Sequence, residues 1–449
     1  MKPEEFVHRS HLDASAAEAF RWHARPGSFE RLRPPWTEVR VVDRRGGIEP
    51  GGRVDLRVKV GPFWRRWVAE HREWEPDRSF RDVSSKGPFG HWDHTHLFLP
   101  DAGGGSLLED RIAYAPPFGW VGRLLLGRYC KRELLRLFRY RHAVTAADLE
   151  AHRVHREAGP QRVLVTGSSG LAGSALVSFL RAGGHAAFRL LHEPRKGFRA
   201  WQPMQGQLDP GVLEGFDAIV HLAAESEHEG DWTAAKRARI LASRAGATRL
   251  LCQAIARLAS PPRVLVSASS TAFYGSRESA PLRGDEPAGD DFLANAYREK
   301  EEAAAAAAER GVRVVHLRFG RILSPEGGLL RRSLGLFRAG LGGWAGSGGR
   351  YVSWISRDDA VGTIHHAMLA AGLRGAINAV APHPLPAREF ARTLGRVLSR
   401  PAWLRRPAFG ARRLLLASQR AVPDRLIASG YRFRHPVLET ALRFCLGRE

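Results

Sequence analysis

The sequence predicts an α/β protein: a doubly wound parallel sheet with a small C-terminal cap, preceded by an α+β domain with a curved antiparallel sheet. Three observations predict this. The stretch Val163-Leu-Val-Thr-Gly-Ser-Ser-Gly-Leu-Ala-Gly173 runs from an apolar β-type segment into three glycines and then an amphipathic segment. From residue 162 onward, strand-like and helix-like segments alternate, which builds βαβ units. Before residue 150 the order is instead strand, helix, many strands, long helix.

The first half is justified segment by segment. Phe6 to Leu12 alternates as a strand, and Ala14 to His23 forms a short helix with Asp13 as its cap. Strands follow at Thr37–Arg44, Arg53–Val60, Trp67–Trp74, Phe80–Ser84, His91–Leu99 and Ser106–Tyr114. Turns such as Glu49-Pro-Gly-Gly52 and Asp101-Ala-Gly-Gly-Gly105 part them. An amphipathic helix from Val121 to Glu150 closes residues 1–150. The expected product is a curved sheet wrapped around its last helix. Trp64, Trp67, Trp74, Trp92 and Phe98 are expected to fill its core, unless a cavity lies between sheet and helix. Residues 151–161 are short and polar and end in Gly-Pro-Gln, which makes them a linker.

In the second half, strands are expected at Arg162–Thr166, Ala186–Leu191, Ala218–Leu222, Arg263–Ser267, Val312–Leu317 and Ala376–Val380. Helices fill the gaps, including Trp232–Ala256 and Phe292–Arg310. Residues 162–380 then form a Rossmann-type domain, and residues 381–449 a small C-terminal domain.

The glycine loop carries a specific chemistry. Gly167 allows the tight turn, Gly170 lets the backbone approach a pyrophosphate, and Gly173 lets the helix pack near the strand. The helix N-terminus offers free N–H groups to the phosphates. Gly167, Ser168, Ser169, Gly170, Leu171 and Gly173 are therefore expected to hold a dinucleotide. Leu222, Ala223 and Ala224 follow a second buried strand, where small residues let the cofactor lie across the sheet. The strand that directly follows the glycine-loop helix ends in Leu191-His-Glu-Pro-Arg-Lys196. Glu193 suits the ribose of NAD, whereas His192, Arg195 and Lys196 suit the 2′-phosphate of NADP. Three potential cations against one anion favour NADP, with NAD still open.

Composition excludes several classes. The chain has 449 residues, enough for two or three domains. It contains no apolar run of about 18 residues, so no membrane span is expected. Its start lacks the apolar segment of a secretory signal, and Cys130, Cys252 and Cys445 lack disulfide or metal spacing. A cytoplasmic protein without a metal is the expectation. The net charge is +23, but the arginines are scattered through both halves. That pattern fits a basic surface with weak nonspecific attraction to polyanions, and no specific nucleic-acid partner. Nothing in the sequence specifies an oligomeric state.

The strand Val264-Leu-Val-Ser-Ala-Ser-Ser-Thr-Ala-Phe-Tyr-Gly275 opens from apolar residues into hydroxyls. Here the chain resembles the extended short-chain dehydrogenase/reductases, the NAD(P)-dependent epimerase/dehydratase group. The segments Gly230–Arg244, Leu341–Asp359, Asn378–Pro384 and Gln419–Pro423 resemble one subfamily in particular. It comprises the nucleoside-diphosphate-sugar epimerase homologues, also labelled cell-division-inhibitor homologues. The resemblance implies that Ser270 holds a substrate oxygen. It also implies a Tyr as acid/base, four residues before a Lys that lowers its pKa and binds the nicotinamide ribose. In Ala294-Asn-Ala-Tyr-Arg-Glu-Lys-Glu-Glu302, Tyr297 takes the first position, but Glu301 stands where the Lys belongs and Lys300 comes one residue early. A carboxylate at 301 is expected to raise the Tyr297 pKa. Lys300 shares a helix face with Tyr297, so Ser270, Tyr297 and Lys300 are the catalytic candidates. An ordinary half-buried helix tyrosine fits the same sequence.

The first half resembles the START-like, polyketide-cyclase-like (SRPBCC) superfamily. The resemblance rests on element order, on Ala16 to His23, on the Pro26-Gly27 turn, and on Phe118-Gly119 before the last helix. It implies an apolar or amphipathic ligand between sheet and helix. Elsewhere, His221 ends a buried strand as a core histidine would, and Asp358 and Asp359 open a helix. Gly342 to Gly349 forms a flexible loop or lid, and Arg350 stands ready for an anionic substrate group. Two functions are compatible with these residues: an NADP-dependent epimerase or oxidoreductase on a small-molecule substrate, or an NADP(H)-binding sensor or ligand carrier without turnover.

Overall fold

The computed structural model describes residues 2–193, 199–227, 231–277, 279–406 and 417–448. The chain divides into two units, Met1–Arg156 with Arg181–Gly184, and Glu157–Leu180 with His185–Glu449. The matched architecture is the expected one: an antiparallel sheet domain, then a parallel α/β domain.

The first unit is built on seven antiparallel strands: β1 (Glu4–Leu12), β2 (Val39–Arg45), β3 (Arg53–Val60), β4 (Phe63–Glu75), β5 (Ser79–Lys86), β6 (His91–Pro100) and β7 (Ser106–Ala115). Their order is β1-β7-β6-β5-β4-β3-β2. Helix α1 (Ala16–Ala24) is capped by Ser15, not Asp13, because Glu18 three residues on closes a reciprocal capping box. Helix α2 (Ser28–Arg31) is a single turn, and α3 (Gly119–Arg153) is longer than the expected Val121–Glu150, so it takes the first residues of the expected linker.

Strand β6 shows how the interior is made. Trp92, His94, His96 and Phe98 alternate onto one buried face. Trp92 packs with Phe6, Ile112, Leu134 and Phe138, and Phe98 with Phe20, Phe80 and Leu108. A cavity of about 320 Å³ is lined by Trp36, Trp67, Trp92, Leu134 and, on its polar side, His94 and His96. Phe98 and Trp92 therefore fill the core as expected, whereas Trp67 faces the cavity. Trp74 is 41% exposed, and Trp64 lies under the Arg40 guanidinium at 4.4 Å.

The second unit carries β8 (Arg162–Thr166), β9 (Ala186–Leu191), β10 (Arg199–Ala200), β11 (Ala218–His221), β12 (Val264–Ser270), β13 (Arg313–Phe319) and a last strand, Gly375–Ala379. All pairs are parallel, in the order β10-β9-β8-β11-β12-β13 and then the last strand. Strand order switches direction between β8 and β11, and such a switch leaves a crevice at the carboxyl ends of the strands. Helix α4 (Leu171–Ala182) follows the glycine loop directly.

Two expected helices are broken. Trp232–Ala256 becomes α5 (Ala234–Leu241), a π-type turn at Ala242–Gly246 and α6 (Ala247–Ala256). Phe292–Arg310 becomes α7 (Phe292–Glu302) and a short turn, Ala305–Ala308. The glycine-rich stretch expected as a loop or lid is partly a strand, Gly342–Ala345, paired with Ala402–Arg406. A methyl group added at Gly343 would sit 1.7 Å from the Leu404 carbonyl oxygen, so glycine is needed for this close pairing. Among the described residues, no helix is long and apolar enough to cross a membrane.

Candidate active site

The carboxyl ends of β8, β11, β12 and β13 open onto a cleft of about 310 Å³. Leu171, Leu222, Ala224, Ser270, Tyr297 and Lys300 all line it. The cleft thus gathers side chains from the glycine loop, the end of β11, the end of β12 and helix α7.

The glycine loop is tight for stated reasons. Gly167 has φ +64°, and a Cβ there would lie 2.6 Å from the Ala223 nitrogen. A Cβ on Gly173 would lie 2.2 Å from the Gly167 carbonyl oxygen. At Gly170 an added Cβ would meet only that same oxygen, at 3.3 Å, so its outer side is open. Among the described residues, the buried Ser168 hydroxyl has no hydrogen-bond partner. The Thr166 hydroxyl accepts the Ala223 N–H at 3.2 Å, which ties the end of β8 to the end of β11. A buried orphan hydroxyl, an open glycine face and a helix N-terminus together fit a dinucleotide phosphate. His192 is exposed just after β9, and Arg195 and Lys196 lie outside the described residues.

Tyr297 and Lys300 share the inner face of α7. Asp291 caps that helix by accepting the Ala294 N–H at 2.9 Å. Tyr297 is 7% exposed, and its hydroxyl accepts from Arg244 Nη2 at 3.3 Å. The guanidinium also lies 4.9 Å from the phenol ring centre. Burial pushes the Tyr297 phenol above its ordinary value; the Arg244 charge opposes this, Glu227 adds to it, and hydrogen bonds from Arg244 and Ser270 pull it down again. Arg244 in turn pairs with Glu227 at 3.2 Å. The Ser270 hydroxyl accepts the Ala272 N–H at 3.2 Å, which fixes it at the mouth of β12.

Lys300 is buried, and among the described residues its ammonium has no hydrogen-bond or ion-pair partner. Burial first, and then the Arg244 charge, lower its pKa to about 7. Glu301 does not play the part expected of it. Its carboxylate is held on the other flank of α7 by Arg318, at 2.8 and 2.9 Å, and accepts the Ser269 hydroxyl at 2.6 Å. Arg318 is its ion-pair partner, and the groups that act on the Tyr297 phenol are Arg244, Glu227 and Ser270.

The remaining candidates lie elsewhere. His221 is fully buried between the Thr166 and Thr248 hydroxyls, at 2.8 and 3.0 Å. Asp359 accepts from the Arg434 and His435 backbone N–H groups and from Tyr431, which is a structural role. Arg350 does not line the cleft. Sequence reading gave Arg244 no role. Its place depends on the π turn at Ala242–Gly246, a helix distortion frequent at functional sites but invisible to helical periodicity. Gln419 was also missed as a cleft residue. It accepts from the Thr271 hydroxyl at 3.0 Å and donates to the Gly275 carbonyl at 3.1 Å.

Comparison with known proteins decides the family. Residues 163–378 match the NAD dependent epimerase/dehydratase family, residues 12–137 the polyketide cyclase/dehydrase and lipid transport family, and residues 401–445 a domain of unknown function. The chain is 35% identical over 296 residues to the Mycobacterium bovis epimerase family protein Mb2239, covering 98% of that protein and 64% of this one. This chain belongs to the NAD-dependent epimerase/dehydratase family. The crystal structure of a nucleoside-diphosphate sugar epimerase from Corynebacterium glutamicum is 29% identical, with a TM-score of 0.82, covering 98% of this chain and 90% of that one. Human epimerase family protein SDR39U1, solved with NADPH, is 34% identical with a TM-score of 0.58, covering 64% of this chain and 99% of that one. In this chain the Tyr297 hydroxyl accepts from Arg244, and Lys300 stands three residues on along the same helix.

Proposed function

We propose that this family member is an NADP-dependent epimerase or oxidoreductase acting on a small oxygen-bearing substrate in the 310 Å³ cleft. The observation that carries the reading is the set Ser270, Tyr297 and Lys300 lining one cleft, with Arg244 on the Tyr297 hydroxyl, next to a glycine loop that fits a pyrophosphate. Ser168, Gly170 and the first turn of α4 would hold the phosphates, with Leu222 to Ala224 beneath the cofactor. His192, Arg195 and Lys196 favour the 2′-phosphate, and NADPH in the human relative supports that preference. When bound, the nicotinamide supplies or accepts the hydride.

The chain's own residues do the rest. Ser270 orients the substrate oxygen. Tyr297, kept protonated by burial, donates a proton to that oxygen or takes one back. Arg244 stabilises the phenolate that results, the part usually given to a lysine four residues on. Lys300, with its amine poised near neutrality, gains charge when an anionic group arrives and so anchors it. The pairing of Glu301 with Arg318 supports turnover over a protein without it.

The cavity of the first unit supports a second element of the reading: residues 1–150 hold an apolar or amphipathic molecule. The test of the enzyme is NADPH turnover against a panel of carbonyl compounds and nucleotide sugars. Tyr297→Phe is expected to lower turnover by about 10²–10⁴-fold and to leave NADPH affinity unchanged, because only the transferable proton is lost. Equal turnover in the two proteins removes Tyr297 from the mechanism.

A further inference from the structure

The cavity of the first unit carries more than apolar walls. Across its sheet the register places two polar rows. His96 on β6 faces Asp110 on β7, which in turn faces His8 on β1. One pleat away, His94 on β6 faces Asp82 on β5, which faces His71 on β4. His94, His96 and Asp110 are 2%, 8% and 3% exposed. Burying carboxylates and imidazoles costs several kcal/mol unless each finds a partner. A pocket meant only for hydrocarbon has no use for them.

The donor atoms converge. His94 Nε2 and His96 Nδ1 lie 2.8 and 2.6 Å from the same oxygen, Asp110 Oδ1. The three ligand atoms all fall within 4.8 Å of one another. Among the described residues, His96 Nδ1, Asp82 Oδ2 and His71 Nδ1 are buried without a hydrogen bond. The other carboxylate oxygen of Asp110 is held by His142 Nε2 at 2.5 Å, which fixes its orientation from helix α3 as an outer partner of a metal ligand does.

We propose that His94, His96 and Asp110 form a binding site for a divalent transition cation at the polar side of this cavity. Two imidazoles and one carboxylate suit zinc, iron(II) or cobalt rather than magnesium or calcium, which prefer all-oxygen shells. With metal–ligand bonds of about 2.1 Å, donors stand roughly 3.0–3.4 Å apart, so the two histidine–Asp110 spacings need to open by about 0.2–0.8 Å. His94 and His96 border the cavity, so the remaining coordination positions face the space between Trp36, Trp67 and Trp92. An amphipathic ligand with an oxygen donor would complete the sphere there. Arg141 borders the same space, and a negatively charged donor, carboxylate or enolate, is the class that satisfies both cations.

The metal test needs no organic ligand and no turnover, so it fails or succeeds independently of the reductase reading. Untagged full-length protein is stripped with chelator, dialysed and titrated with cobalt(II), with visible absorption as the readout. Bound zinc is counted by mass spectrometry on a parallel sample. One equivalent per chain is expected, lost in His96→Gln and in Asp110→Asn. Circular dichroism establishes that the variants are folded. Should both unfold, the cobalt form of the wild type has its own readout. It should show hyperfine-shifted imidazole N–H resonances from two histidines. Absence of saturable binding to wild type, a full equivalent retained by folded His96→Gln, or no shifted imidazole resonance overturns the site.

Discussion

Lys300 offers the sharpest quantitative test of the cleft. Burial and the neighbouring Arg244 charge bring its amine from 10.5 to about 7. Above about pH 10.5 neither the folded nor the unfolded chain carries this proton, and Lys300 costs nothing. Below about pH 7 both carry it, and the buried ammonium imposes its full cost on the fold. Between those limits the unfolded chain binds the extra proton, so the fold gains about 1.4 kcal/mol for each unit of pH gained. The full cost is on the order of 5 kcal/mol. Because the amine borders the cleft, solvent screening reduces the working figure to about 2–4 kcal/mol. Lys300→Met keeps the length of the side chain and removes the proton. It is expected to be more stable than wild type by that amount at pH 7, with the gap closing toward pH 10. Urea unfolding of both proteins at four pH values between these limits measures it. A gap that does not change with pH, or a wild type more stable than the variant at pH 7, refutes the assignment of a poised amine.

Three further variants separate the parts of the site. Gly170→Val is expected to fold and to lose NADPH binding by calorimetry, since its outer side is open to a phosphate. Gly173→Ala is expected to lose thermal stability even without cofactor, because its Cβ would lie 2.2 Å from the Gly167 carbonyl oxygen. Glu301→Gln is expected to cost about 3–5 kcal/mol by leaving Arg318 buried against a neutral partner. It should leave the pH at which the Tyr297 phenol titrates unmoved, as followed by ultraviolet absorption at high pH against Tyr297→Phe.

Much of the fold was legible because it is local. Val163 to Gly173 states strand, turn and helix within eleven residues, and the alternating strands of the first half are parted by glycine and proline turns. The sheet types, antiparallel in the first half and parallel in the second, followed from the order of elements, whereas the strand orders are set by pairing over distance. Tyr297 and Ser270 were legible as candidates because motif spacing names them, and Lys300 because it shares a helix face with Tyr297. What the sequence hid depends on pairing over distance. Glu301 and Arg318 stand on different elements, so the carboxylate's true partner could not be seen from α7 alone. Arg244 faces Tyr297 because one helical turn widens. His94 and His96 show their inward alternation in the sequence, but Asp110 joins them only through the register of β6 with β7.

The tail of the chain has a consequence for where this protein can be cut. The parallel sheet ends at Ala379, and a boundary drawn there is natural on topology. Yet Gln419 sits at the cleft and bonds to Thr271 and Gly275. Asn378 donates to the Leu282 and Val422 carbonyls, and Asp359 holds the backbone of Arg434 and His435. A fragment ending at the last strand would leave these groups unpaired and one wall of the cleft missing. Recombination that swaps the nucleotide-binding sheet must therefore carry the last seventy residues with it, so sheet and tail are inherited as one functional cassette.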